Sequence, residues 1–172
     1  MEARHIYKSD LPYPEISCQD KNQSYANLIQ VNYAGSISEL TAINQYIYHS
    51  LAISEKFKDV AHCLKHIAMV EMEHLEILGK LIIALGGNSR FEINKGGREL
   101  EWSPKFIEYG SNLASMLREN IDGEKAAIRQ YKSTISLIKD DKIIKVLERI
   151  IVDEEIHIQT LVLLYNEVCR RR

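Results

Sequence analysis

Proline, glycine and cysteine are all scarce in this chain, and each shortage excludes a class of structure. Three prolines and eight glycines among 172 residues leave few positions that would interrupt a helix. The three cysteines, Cys18, Cys63 and Cys169, are odd in number and form no C-x-x-C pair. This argues against a disulfide framework or a thiolate iron site, and it favours a reducing compartment.

The chain also lacks strong net charge and long apolar runs. A formal net charge of −2 leaves no basic surplus to neutralise phosphates, so we expect no nucleic-acid partner. No apolar run approaches the roughly 18 residues that a bilayer crossing needs, so we expect no membrane partner. The opening residues, MEARHIYKSD, lack the apolar segment of a signal peptide, and we therefore expect a cytoplasmic protein.

What the chain does contain is one chemical pattern written twice. Glu71 and His74 lie three residues apart, as do Glu154 and His157. A further glutamate precedes each pair by 32 and 30 residues and opens a repeated octapeptide, ELTAINQY or EKAAIRQY, with five of eight positions identical. Each half of the chain therefore reads as a helix pair that supplies Glu and then Glu-x-x-His.

This pattern predicts a pair of metal ions between four helices. Residues three apart share a helix face, and the glutamates fall in the apolar stripes of their helices, where an unpaired acid would be costly. The stripes offer no Lys or Arg to neutralise four acids, which disfavours a purely structural bundle. Four carboxylates and two imidazoles suit Fe, Mn or Co better than Mg or structural Zn, and this is the signature of dimetal bundles. The predicted ligands of two Fe or two Mn ions per chain are Glu39, Glu71, His74, Glu124, Glu154 and His157.

The predicted fold is all-α, a four-helix bundle over residues 25–172 after an N-terminal extended arm over residues 1–24. The arm holds two of the three prolines and lies on the bundle or on a neighbouring subunit. A long connection, residues 88–103, follows a helix end at Gly86. The expected arm anchors are Tyr7, Leu11, Tyr13 and Ile16. The expected helices cover residues 24–54, 55–85, a third from Ser103 or Ser111 to 138, and a fourth from 140 to 169.

Three residues near these ligands are further candidates: Tyr46 and Tyr131 as catalytic residues, and Asp153 as a residue that positions a ligand. Tyr46 and Tyr131 follow Glu39 and Glu124 by seven residues, two turns along the same face. Their hydroxyls could bind a ligand carboxylate or supply an electron, and the alternative is an ordinary core tyrosine. Asp153 could orient a ligand histidine across the bundle, and the alternative is a solvated acid.

Other acids and histidines are interpreted as structural. His62 and His66 lie four apart, a spacing that can bind a metal, but a surface pair is the preferred interpretation. His49 could contact a metal ligand, but a packing histidine with satisfied nitrogens is preferred. Glu119 faces away from Glu124. The expected solvated acids are Glu73, Glu76 and Glu155.

The stretches ELTAINQYIYH, VEMEH and DEEIH resemble the metal-binding helices of bacterioferritin. The resemblance extends over the four expected helices, residues 28–165. The wider group is the ferritin-like dimetal-carboxylate superfamily, which includes rubrerythrin and manganese catalase. The resemblance implies a ferritin-like antiparallel bundle with a long crossover connection. It also implies that Glu71 and Glu154 bridge the metals while each histidine binds one metal. The terminal ligands that it implies are Glu39 and Glu124.

By the same resemblance we expect an oxidoreductase that reacts with O2 or H2O2, of ferroxidase, peroxidase or catalase type, with Fe(II) as a further substrate. The alternative is an iron-binding or storage protein without turnover. Only 15 residues follow His157, too few for a fifth helix, so we expect a dimer or small ring and not a cage. Met72 occupies the position of the methionine that binds haem in bacterioferritin, so haem is a possible cofactor. The preferred interpretation is a methionine in a helix interface without haem.

Overall fold

The computed structural model describes residues 6–170, which form a four-helix bundle whose first helix is divided in two. Its helices are α1 (Gln23–Ala34), α2 (Glu39–Ile53), α3 (Lys58–Ala84), α4 (Leu113–Leu137) and α5 (Asp141–Arg170). The main packed pairs are α2 on α3 and α4 on α5, and α1 packs on α3. The predicted all-α bundle is confirmed.

The prediction of one continuous helix over residues 24–54 is wrong, because the chain breaks before Glu39. The Ser38 side chain caps α2 by accepting a hydrogen bond from the Thr41 backbone N–H at 3.2 Å. The Thr41 hydroxyl in turn donates to the carbonyl of Gly35 at 3.2 Å. The break places Glu39 in the first turn of α2, and the buried residues Ile43, Tyr46 and Ile53 follow it at helical spacing.

The connection between α3 and α4 contains a small hairpin that the sequence analysis does not predict. Strands β1 (Glu92–Lys95) and β2 (Arg98–Glu101) pair antiparallel around Gly96 and Gly97, whose φ angles are +61° and +80°. Of the two expected starts of the third helix, Ser103 caps only a short 3₁₀ turn, Pro104–Phe106. α4 begins near the other, Ser111, after a capping box made by Asn112.

The N-terminal arm lies on the bundle of its own chain. Tyr13 and Ile16 pack against one apolar cluster of the core and Tyr7 packs against another, whereas Leu11 is 62% exposed and does not anchor the arm on its own chain. The first five residues of the predicted arm lie outside the described part of the chain. α1 begins at Gln23, one residue before the predicted end of the arm, and the Asn22 side chain caps it by accepting from Tyr25 N–H at 3.0 Å.

The core consists of two apolar clusters with a polar layer between them. One cluster contains Leu78 and Leu147, and the other contains Leu64 and Leu161. Both α3 and α5 run from one cluster to the other, so their middle turns cross the polar layer. In residues 6–170, no helix has the length and apolar character for a membrane crossing, and the three cysteines are free.

Two glycine substitutions should have opposite effects on stability. In Gly35→Ala the new Cβ would lie 2.5 Å from the Val31 carbonyl oxygen, so we expect a loss of about 1–3 kcal/mol in the free energy of unfolding. Gly123 lies within α4 with no atom within 4 Å of a Cβ, so Gly123→Ala should gain about 0.5–1 kcal/mol. Urea unfolding measures both, and equal effects would contradict this account of the helix break.

Candidate metal centre

Six ionisable side chains meet in the polar layer. None is more than 4% exposed. One glutamate comes from α2, one from α4, and a glutamate and histidine from each of α3 and α5. They are Glu39, Glu71, His74, Glu124, Glu154 and His157. The structure thus brings together all six residues that the sequence predicts as ligands.

These residues form two overlapping groups, and within each group the ligand atoms lie within 4.8 Å of one another. Glu71 and Glu154 belong to both groups. Two shared carboxylates are what a pair of neighbouring ions would need as bridges. The other members are Glu39 with His74 in one group, and Glu124 with His157 in the second.

Each imidazole points its Nδ1 atom at three carboxylates. His74 Nδ1 lies 2.9 Å from Glu71 Oε2, 3.3 Å from Glu154 Oε1 and 3.7 Å from Glu39 Oε2. A single Nδ1–H can satisfy only part of this set.

His157 repeats this arrangement in the second group. Its Nδ1 lies 3.1 Å from both Glu71 Oε1 and Glu154 Oε2, and 3.4 Å from Glu124 Oε1. The Nδ1 atoms of His74 and His157 form their hydrogen bonds with Glu71 Oε2 and Glu154 Oε2. Within residues 6–170, the atoms of the centre left without a hydrogen bond are therefore Glu71 Oε1 and Glu154 Oε1, although each lies within 3.3 Å of an imidazole nitrogen, and His157 Nε2. Buried polar atoms are normally paired, so the two oxygens are consistent with a centre that binds a cation.

The negative charge of the four glutamates also favours a bound pair of cations. No Lys or Arg within residues 6–170 forms an ion pair with any of the four glutamates. Four ionised carboxylates carry four negative charges, and two divalent cations would balance them with both imidazoles neutral. Oxygen and imidazole donors without thiolate are a set that Fe and Mn accept. The residues therefore fit a dimetal site.

Without metal, the centre holds protons instead. Burial raises the pKa of Glu39 well above its usual value, and the nearby charges of Glu71 and Glu154 raise it further. Burial and the charge of Glu154 raise the pKa of Glu124 to about 7. Two of the four carboxyls thus resist ionisation near neutral pH.

The imidazoles carry the complementary charge. Burial opposes ionisation of Glu71 and Glu154, but contacts with His157 and His74 lower the pKa of both carboxyls overall. Burial also opposes protonation of the two histidines, yet the surrounding carboxylates raise the pKa of each well above the usual value. The metal-free centre is thus a proton-sharing network.

Both tyrosines reach across the repeat to the glutamate of the other half. Tyr46 on α2 donates its hydroxyl hydrogen bond to Glu124 on α4, and Tyr131 on α4 donates to Glu39 on α2. The two rings are 2% and 1% exposed. Burial and the adjoining carboxylates raise the pKa of both phenols, so the hydroxyls remain protonated donors.

Asp153 lies behind the centre and contacts a histidine across the bundle, as the sequence suggests. Its Oδ2 lies 3.2 Å from His74 Nε2, and the residue is fully buried, so the alternative of a solvated acid is wrong. The arm also contacts this carboxylate, through Ser9 and Tyr13. The sequence analysis missed that contact because no local pattern links residues so far apart.

A cavity of about 490 Å³ reaches the four glutamates from the side of α2 and α4. Its wall includes both tyrosines but neither histidine of the centre. Gln45 Nε2 donates to Asn120 Oδ1 at 2.9 Å, and His49 Nδ1 lies 3.0 Å from the same oxygen. His49 Nε2 lies 2.9 Å from the Glu108 carbonyl oxygen, so both ring nitrogens face oxygen acceptors. Burial lowers the pKa of His49, and a neutral ring donates to only one of the two oxygens, so the predicted packing histidine is buried but only partly satisfied. The two amides of this wall are functional candidates that the sequence analysis missed.

A sequence model of the rubrerythrin family matches residues 33–165, a span that includes all six clustered residues. The chain belongs to the rubrerythrin family. This family assignment and the structural likenesses below confirm the predicted ferritin-like dimetal-carboxylate superfamily.

Two solved structures are similar to this chain in fold, and one further protein is similar in sequence. A manganese catalase from Anabaena superposes with a TM-score of 0.83 at 23% identity, covering 95% of this chain and 80% of that chain. The bacterioferritin of Rhodobacter capsulatus superposes with a TM-score of 0.73 at 20% identity, covering 88% and 89%. A probable manganese catalase of Clostridium acetobutylicum is 23% identical over 164 residues, 83% of this chain and 71% of the relative. The predicted ferritin-like fold is confirmed.

The remaining predictions for this rubrerythrin-family chain concern its surface. His62 and His66 form the predicted surface pair, with Nε2 atoms 2.8 Å apart. Glu119 lies 3.6 Å from His49 and is outside both groups of ligand atoms. Met72 is 45% exposed, so it does not pack in a helix interface within the chain, contrary to expectation. The acids predicted to be solvated are all exposed, namely Glu73, Glu76 and Glu155.

Metal binding by this rubrerythrin-family centre should release protons. The raised pKa values of His74, His157 and Glu39, and that of Glu124 at about 7, keep protons on the metal-free centre near neutrality. Bound ligands must be deprotonated, so the affinity for Mn²⁺ should rise as the pH increases from about 6 to 8. Calorimetry in buffers of different ionisation enthalpy measures the released protons. An affinity independent of pH would contradict this charge assignment.

Proposed function

We propose that this protein is a dimetal-carboxylate oxidoreductase that uses a pair of Mn or Fe ions to reduce H2O2. The observation that carries the proposal is the pair of overlapping, buried carboxylate and imidazole groups, which open through their carboxylates onto a cavity. The names of the relatives, two manganese catalases and a bacterioferritin, support the same chemistry. We further propose that it acts in the cytoplasm as a homodimer or small ring.

Each residue of the centre has a proposed role as a ligand. Glu71 and Glu154 would contact both ions. When bound, such a pair of ions supplies and takes back two electrons, the number that converts H2O2 and two protons to two water molecules. Oxidation of a second H2O2 to O2 and two protons returns those electrons. The ligands proposed for one ion alone are Glu39 and His74 at one site, and Glu124 and His157 at the other.

The rest of the chain prepares this centre for a small oxidant. The two apolar clusters exclude bulk water above and below it, and the cavity admits substrate beside the carboxylates. Tyr46 and Tyr131 fix Glu124 and Glu39 by hydrogen bonds that cross between the halves. We propose that this keeps the two carboxylates in place during turnover and holds a proton at each phenol oxygen beside the cavity.

Manganese catalase activity is the first candidate, because the manganese catalase from Anabaena covers more of this chain, with a higher TM-score, than the bacterioferritin. Ferroxidase activity with Fe(II) and O2 is the second, because bacterioferritin shares the fold and the donor set accepts iron as well. Iron binding without turnover is the alternative to both. Metal supply decides between such ions as much as the site does.

Removing one ligand should abolish the activity and the metal. In Glu71→Ala or His157→Ala we expect fewer than two metals per chain by elemental analysis and no H2O2 consumption. Glu73→Ala is the matched control, because Glu73 lies two residues from Glu71 but is exposed. Two metals per chain in either ligand variant would contradict the assignment of these six residues.

Loading with one metal at a time should separate the candidate activities. We expect the protein loaded with Mn²⁺ to evolve O2 from H2O2 in a 1:2 ratio, which follows from the electron balance. Protein supplied with Fe(II) should instead consume O2 if ferroxidase chemistry prevails. Accumulation of many more than two irons per chain without steady turnover would indicate storage, and no reaction under either condition would contradict an enzymatic role.

A further inference from the structure

The N-terminal arm contacts the candidate metal centre on the side of the histidines, which is opposite the cavity. Its contact is Asp153, whose Oδ2 lies 3.2 Å from His74 Nε2. The Ser9 backbone N–H donates to Asp153 Oδ1 at 2.7 Å, and the Tyr13 hydroxyl donates to Oδ2 at 2.6 Å. Two arm groups therefore hold the carboxylate that contacts His74.

Arg149 ties the arm and Asp153 together. Its Nη1 lies 2.7 Å from Asp153 Oδ1, while Nε donates to the Leu11 carbonyl at 2.8 Å and Nη2 to the Ser9 carbonyl at 2.9 Å. The guanidinium carbon lies 4.4 Å from the centre of the Tyr13 ring. Both charged side chains are at most 6% exposed, so removing one partner would leave a buried charge unpaired.

The two halves of the repeat differ at this point. Asp153 precedes Glu154, whereas the equivalent position before Glu71 is occupied by Val70. His157 Nε2 accordingly has no hydrogen-bond partner in the described part of the chain, while His74 Nε2 has Asp153. Only the group that contains His74 is tied to the arm through a carboxylate.

We propose that the arm is a positioning device for His74, and that arm docking and metal binding at the His74 group stabilise each other. This rests on the proposed dimetal function. An acceptor at Nε2 keeps the imidazole proton there and leaves Nδ1 free to bind a metal, the usual role of an outer carboxylate. Ser9, Tyr13 and Arg149 fix that acceptor. Since linkage is reciprocal, metal at the His74 group must stabilise the docked arm in return.

Titration of the full-length protein with Mn²⁺ tests this proposal. Wild type should bind two Mn²⁺ per chain. Loss of the outer carboxylate of a metal-bound histidine typically weakens metal binding about 10- to 100-fold. Tyr13→Phe removes one hydrogen bond to that carboxylate, so it should weaken one of the two binding events measurably, by up to about 10-fold. Arg149→Met should weaken the same event at least as much. If that variant does not fold, Tyr13→Phe decides alone.

Lys8→Met is the matched control. Lys8 binds the arm to exposed Glu73 at 2.7 Å without touching Asp153. Because an exposed ion pair contributes little to stability, the variant should leave the arm docked and both binding events unchanged. Hydrogen exchange supplies a second readout. Saturating Mn²⁺ should slow exchange of the Ser9 amide in wild type and in Lys8→Met, and slow it less in Tyr13→Phe.

The outcomes separate the two proposals. If Tyr13→Phe lowers the melting temperature but leaves both Mn²⁺ affinities unchanged, the arm is only structural and the positioning role is overturned. Equal weakening of both binding events, or a Ser9 amide that exchanges at the same rate with and without Mn²⁺, overturns it as well. If wild type binds no metal under conditions where it is folded, the dimetal function itself fails.

Discussion

Four carboxylates share one buried volume at the centre of this bundle, and no lysine or arginine within residues 6–170 pairs with them. Unpaired buried charges are unfavourable by several kcal/mol each, so the fold requires a source of positive charge at this point. Protons on two imidazoles and two carboxyls balance the charge, but they leave two buried carboxylate oxygens without a hydrogen-bond partner. Two divalent cations would balance the charge and would also contact those oxygens.

The two sides of the centre have different surroundings. The carboxylates face the cavity between α2 and α4, where the proposed oxidant would approach them. The imidazoles face the opposite side, where Asp153 and the arm cover His74. The repeat makes the halves alike in ligands, and the crossed tyrosine bonds join them into one unit. The arm then makes them unequal, because only one half has a carboxylate that it can hold.

The six clustered residues could be predicted because local spacing determines helix faces. Glu71 and His74 lie three apart within an apolar stripe, and that register survives whatever the distant parts of the chain do. The division of the first helix was readable in part, since Ser38 before Glu39 is a good cap. It was missed because the apolar period continues on both sides of the break.

The arm contacts could not be predicted in this way. Ser9 and Asp153 are 144 residues apart, and a backbone N–H leaves no trace in the sequence. The polar cavity wall, formed where Gln45 meets Asn120, depends equally on how α2 and α4 pack. Exposure of Met72 likewise depends on which face of α3 the neighbouring helices leave open.

The most direct test is a crystal structure of the metal-loaded protein with anomalous data collected at the manganese and iron absorption edges. The account predicts two anomalous peaks per chain, both among the six clustered side chains, with Glu71 and Glu154 in contact with both ions. A well-ordered centre without a metal peak after loading with either ion, its carboxyls paired only with one another and with the histidines, would contradict it.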